Sequence, residues 1–156
     1  MVDVSLPVLA DPEPSPGGAM SRNLKKGSAR FVVFKLPMLA YMALIFYSSS
    51  GPVTISTLNA IPDYYLHSLG YSVLCMLAFC AVHEGLDVST GRWGYFLPIL
   101  ITILYGISDE FHQSFVPARD SEIKDVFSDS VGALLGTFFI LILKRVISSF
   151  RRAHSA

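Results

Sequence analysis

The 156 residues carry 52% hydrophobic but only 15% charged side chains, with a mean hydropathy of +0.51. One small core cannot hide that much apolar surface, so a wholly water-soluble domain is excluded and lipid is the expected solvent. Twelve Lys and Arg balance twelve Asp and Glu, but the basic residues flank apolar stretches instead of forming a basic face, so nucleic acid is not an expected partner.

In chain order, residues 1–30 are rich in Asp, Glu, Pro, Ser and Gly without apolar periodicity, and are expected to form a disordered cytoplasmic tail. Within it, Met20 stands just before Arg22, Lys25 and Lys26, an arrangement that suits the true start of a membrane protein. Apolar segments follow at 31–47, 64–82, 93–108 and 126–143, each near the roughly 20 residues that cross a hydrocarbon core. None alternates like a barrel strand, and backbone groups in lipid must be satisfied within the segment, so helices are expected. The predicted fold is all-α: a polytopic membrane protein with a four-transmembrane-helix bundle over 31–147 and a basic cytoplasmic tail over 148–156. The first segment also has the basic flank of a cleavable leader, but it lacks an A-x-A type cleavage site, and a retained helix is expected. Cys75 and Cys80, five residues apart in one segment, do not share a helix face or match a zinc pair, and are read as packing or lipid-facing residues.

Orientation follows from the basic flanks. Arg22, Lys25, Lys26, Arg30, Lys35, Arg92, Lys144, Arg145, Arg151 and Arg152 fall on one side, and only Arg119 and Lys124 on the other. That asymmetry places both termini of an inner-membrane protein in the cytoplasm.

Three polar breaks interrupt the apolar pattern, all at the outward ends of segments. Asp63 and His67 share a face at i,i+4; Gly106, Glu110 and Gln113 share another; Asp125, Asp129, Gly132 and Gly136 form a stripe of small and polar residues that permits close helix packing. At a rise of about 1.5 Å per residue, His67, Glu110 and Asp129 each lie about 22 to 25 Å from the cytoplasmic end of their segments, hence at one level. Ionisable groups at that depth are expected to face one another. Pro117 ends the third segment and leaves Arg119, suited to bidentate anion binding, in the outer loop. Asp125 also suits a helix N-terminus. His112 is expected to be solvated, and Tyr64, Tyr65, Tyr71, Phe111 and Phe115 to serve packing or the interface.

The ordered pattern Asp63-x-x-x-His67, Glu110-x-x-Gln113-x-Phe115-x-Pro117-x-Arg119 and Asp125-x-x-x-Asp129-x-x-Gly132-x-x-x-Gly136 resembles the VanZ-like family of small bacterial membrane proteins. Two positions depart from that family's usual pattern: Tyr64 replaces a Lys, and Asp129 an Asn. The resemblance implies a cell-envelope role, since the family's namesake is associated with low-level teicoplanin resistance, but it implies no particular reaction. An acid, a base and an anion binder at the lipid–water boundary suggest a site for an anionic lipid or lipid-linked envelope precursor. His67, Glu110 and Asp129 are then candidate catalytic residues, and Asp63, Gln113, Arg119 and Asp125 candidate binding residues. The alternatives are a non-catalytic envelope binder and a structural partner subunit. Membrane lipids are the expected surroundings. No cofactor or metal is expected, because Glu110, Asp125 and Asp129 alone supply few defined oxygen ligands.

Overall fold

The computed structural model describes residues 26–51, 62–86, 90–117, 119 and 121–154. Every regular element among them is helical. Helix α1 spans Lys26–Ser49, α2 Asp63–His83, α3 Phe96–Gln113 after a 3-10 turn at Arg92–Tyr95, and α4 Ile123–His154. The expected disorder before residue 26 and the start at Met20 lie outside the described residues, whereas Lys26–Arg30, assigned to the tail by composition, are helical.

Helix α1 is wound as a π-helix over Phe31–Lys35, where the Leu36 N–H reaches the Phe31 carbonyl. Pro37 stands just beyond, in the first turn of the regular α-helical part, Leu36–Ser49. Proline lacks an N–H and crowds the carbonyl four residues earlier, so a widened turn before it relieves the clash. Helices α2 and α4 form the central pair and α3 packs on both, while α1 lies outside against α2 and the end of α3.

The α2–α4 contact is close because glycines line it. A Cβ on Gly132 would come within 2.5 Å of the Ser68 carbonyl oxygen, and one on Gly136 would collide with that of Ser72. Ser68 Oγ donates to the Ser128 carbonyl at 3.0 Å, and Cys75 Sγ meets Thr137 Oγ1 at 3.5 Å across the same seam. Below them Leu74, Ala78, Phe79, Ala133 and Ile140 fill the core. The outward faces stay apolar: Leu69, Leu104, Phe127, Leu134, Phe138 and Phe139 are all exposed, a surface that lipid solvates well and water does not.

Three helices, α1, α2 and α4, are long and apolar enough to cross a membrane. Of the four expected crossings, these three stand on length and composition alone, and α3 does not. It begins at Phe96 instead of Trp93 and runs on through Asp109, Glu110, His112 and Gln113, so its last turns are polar. Beyond the fourth segment, α4 continues helically to His154, through most of the stretch expected as the basic tail.

At the end remote from Ser49 and Asp129, α2 terminates with Glu84 in the left-handed region at φ 52°, followed by Gly85 at φ 137°. Arg30 pairs with Glu84 at 2.9 Å, and the Lys144 ammonium lies over the Phe79 and Tyr95 rings at 5.3 and 5.6 Å.

Candidate functional site

The antiparallel course of the helices brings the C-terminal ends of α1 and α3 beside the N-terminal ends of α2 and α4. Polar residues of all four helices therefore meet at one end of the bundle. Asp109 is the most connected: Ser49 Oγ donates to Oδ1 at 2.6 Å, while Tyr71 Oη and Gln113 Nε2 donate to Oδ2 at 3.2 and 3.1 Å. This residue is 4% exposed, and three donors from α1, α2 and its own helix compensate its lost hydration.

Beside it, Gln113 Nε2 also donates to Glu110 Oε1 at 3.2 Å, and the Glu122 backbone N–H donates to Oε2 at 3.2 Å. Ser121 Oγ donates to the Glu110 carbonyl at 2.9 Å, so the chain entering α4 is tied to the chain leaving α3. His67 Nδ1 donates to Asp129 Oδ1 at 2.9 Å, with the carboxylate wholly buried. The other oxygen, Asp129 Oδ2, is buried without a hydrogen-bond partner.

His67, Glu110 and Asp129 offer ligand atoms that all lie within 4.8 Å of one another. The sequence placed these three at a common depth, and the fold brings them together. It does not bring Asp63 to His67: the carboxylate that holds the imidazole comes from α4, while Asp63 is exposed at the start of α2. Asp125 is half-buried one turn above Asp129.

Arg119 is also differently engaged. Its Nε donates to the Gly51 carbonyl at 2.9 Å and its Nη2 to the Ser48 carbonyl at 2.8 Å, so it caps the end of α1 instead of pairing with a carboxylate. His112, expected in solvent, stacks on Phe46 with centroids 4.3 Å apart and meets Ser50 Oγ through Nε2 at 3.1 Å. Ser49 and Tyr71 are site residues that the sequence reading missed. Asp109 was visible, four residues before Gln113 and thus on its face, but its partners come from other helices.

A cavity of about 770 Å³ opens between α1, α2 and α3 at this end. Tyr41, Leu44, Ile45 and Leu66 give it an apolar wall, and Asp63, His67, Asp109, Gln113 and Arg119 give it a polar lining. Such a space suits an amphiphile, with tail and headgroup meeting different walls. His67 belongs both to this lining and to the cluster with Glu110 and Asp129.

No curated protein and no solved structure matches the chain. A family model described as VanZ/LLP1 matches residues 34–144, a stretch that contains the cavity wall, the buried carboxylates and the glycine seam. With more than two thirds of its length matched and three helices fit to cross a bilayer, the chain belongs to the VanZ/LLP1 family and is a membrane protein of VanZ type.

Proposed function

We propose that the protein is a four-crossing component of the bacterial inner membrane, with both termini cytoplasmic. Its outward polar end binds the anionic headgroup of a lipid or lipid-linked envelope precursor. The cavity carries this reading, because it joins an apolar wall on α1 and α2 to a polar lining that includes Gln113 and Arg119. Support for the fourth crossing comes from burial: Asp109, Glu110 and Gln113 face partners instead of lipid, which removes the main penalty for passing α3 through a bilayer. Its 18 residues extend about 27 Å at the usual helical rise. Altered susceptibility to teicoplanin is the cellular outcome this reading expects.

The test is lipid retention by the full chain in detergent, read by native mass spectrometry with phosphatidylglycerol and phosphatidylcholine in competition. Preferential retention of phosphatidylglycerol is expected, and Arg119→Ala should reduce that preference several-fold. Equal retention of the two lipids by the unaltered protein would sink the proposal.

A second reading has its own observation. Because Arg119 donates to the Gly51 and Ser48 carbonyls, the polar end would serve to fix helix register in a structural partner subunit. In that case Arg119→Ala lowers the folded yield without changing headgroup preference.

A further inference from the structure

We propose that His67, Glu110 and Asp129 form a binding site for one divalent cation of the Zn2+ or Mn2+ class. The three residues come from α2, α3 and α4, and their ligand atoms lie within 4.8 Å of one another. His67 Nδ1 and Asp129 Oδ1 are 2.9 Å apart. Two ligands on bonds of about 2.1 Å at right angles lie about 3 Å apart, so a cation can take the place of the proton that Nδ1 donates to Oδ1, which is released to solvent, with little movement of either side chain.

A separate observation points to a ligand. Asp129 is wholly buried, yet its Oδ2 has no hydrogen-bond partner. That oxygen faces the side of α3 that carries Gly106, where a Cβ would lie 2.5 Å from it, and Glu110 stands one turn further along the same face. A buried oxygen left without a donor is costly, and a cation is one way to satisfy it.

Charge leads to the same place. Asp109, Glu110 and Asp129 are all buried, and among the described residues no Lys or Arg lies within ion-pair distance of any of them. A doubly charged ion offsets that excess where water cannot. Glu110 is held in place by Gln113 and the Glu122 N–H, yet each of its oxygens retains a lone pair for a metal. One imidazole with two carboxylates favours a borderline cation over an all-oxygen Mg2+ or Ca2+ site. His67 also lines the cavity, which supplies an entry path.

This inference does not rest on lipid binding, and its test contains no added lipid. The full chain, purified in detergent and stripped with a chelator, is titrated with Mn2+ alone and with Zn2+ alone by calorimetry. One saturable equivalent is expected, weakened at least about tenfold by Asp129→Asn and by Glu110→Gln and unchanged by His154→Ala. Absence of saturable binding, or unchanged binding in both site variants, overturns the proposal. Should the variants fail to fold, pulsed electron paramagnetic resonance of Mn2+ on the unaltered protein decides. Coupling to one imidazole nitrogen is expected, and its absence overturns the site.

Discussion

Asp109 sits where a carboxylate would be intolerable without its three donors from Ser49, Tyr71 and Gln113. Hydrogen bonds between membrane helices contribute about 0.6 kcal/mol on average, so removing the acceptor of the two from Ser49 and Tyr71 with Asp109→Ala should cost about 1 kcal/mol. Asp109→Asn, which keeps one acceptor oxygen, should cost less. Thermal unfolding in detergent reads the order, and an Ala variant as stable as the parent would remove Asp109 from the structural core. Gly106 makes a sharper case, because a Cβ there would meet Asp129 Oδ2 at 2.5 Å and Asp129 Cβ at 3.0 Å. Gly106→Ala should therefore displace Asp129 and destabilise the fold by about 1 to 3 kcal/mol; an unshifted melting curve would show that the site yields without cost. These residues show how much of the site was legible in the sequence. Helical spacing exposes neighbours within one helix, and so it found the face shared by Gly106, Glu110 and Gln113. By the same logic it offered Asp63 to His67, although the actual partner stands 62 positions away, a separation that no periodicity records.

The stripe on α4 was readable because Gly132 and Gly136 repeat at helical spacing with Asp125 and Asp129, and the structure seats both glycines against backbone carbonyls of α2. Gly132→Val or Gly136→Val should force α2 and α4 apart and greatly reduce monodisperse protein on size exclusion. Gly27→Ala, at a helical position where a Cβ meets nothing within 4 Å, should have no such effect and should raise helix stability slightly, as Ala is the better helix former. If the Val variants were as monodisperse as Gly27→Ala, the seam would not be the packing contact that holds the bundle. Helix limits were less legible. Hydropathy marks where lipid contact ends, not where hydrogen bonding ends, so α4 passes unannounced through its basic stretch to His154. The polar last turns of α3 fail an apolar criterion for a related reason: their partners are supplied by other helices, and segment composition contains no term for partners. For α1, the irregular winding falls just before Pro37.

At the scale of the whole molecule, orientation is the remaining consequence of charge placement, and α4 provides the means to test it. From Ile123 to Ser149 the helix rises about 39 Å at 1.5 Å per residue, more than the roughly 30 Å of a hydrocarbon core. Ser121 and Ser149, both exposed, therefore belong to opposite sides of a membrane that α4 spans. Cys75 and Cys80 are the two native thiols; with both changed to Ala, a single Cys can be introduced at either serine. A membrane-impermeant maleimide added to intact spheroplasts should label Ser121→Cys and leave Ser149→Cys unlabelled until lysis, because the cytoplasmic side retains the Lys/Arg-rich flanks. The opposite pattern would invert the protein and turn the cavity, the buried carboxylates and any ion they hold toward the cytoplasm. Labelling of both positions in intact spheroplasts would mean that α4 does not span at all. An outward polar end restricts ligands to those that reach the outer leaflet, whereas an inward one would admit cytoplasmic metabolites and metals, so this labelling pattern decides which pool of headgroups and cations the site can sample.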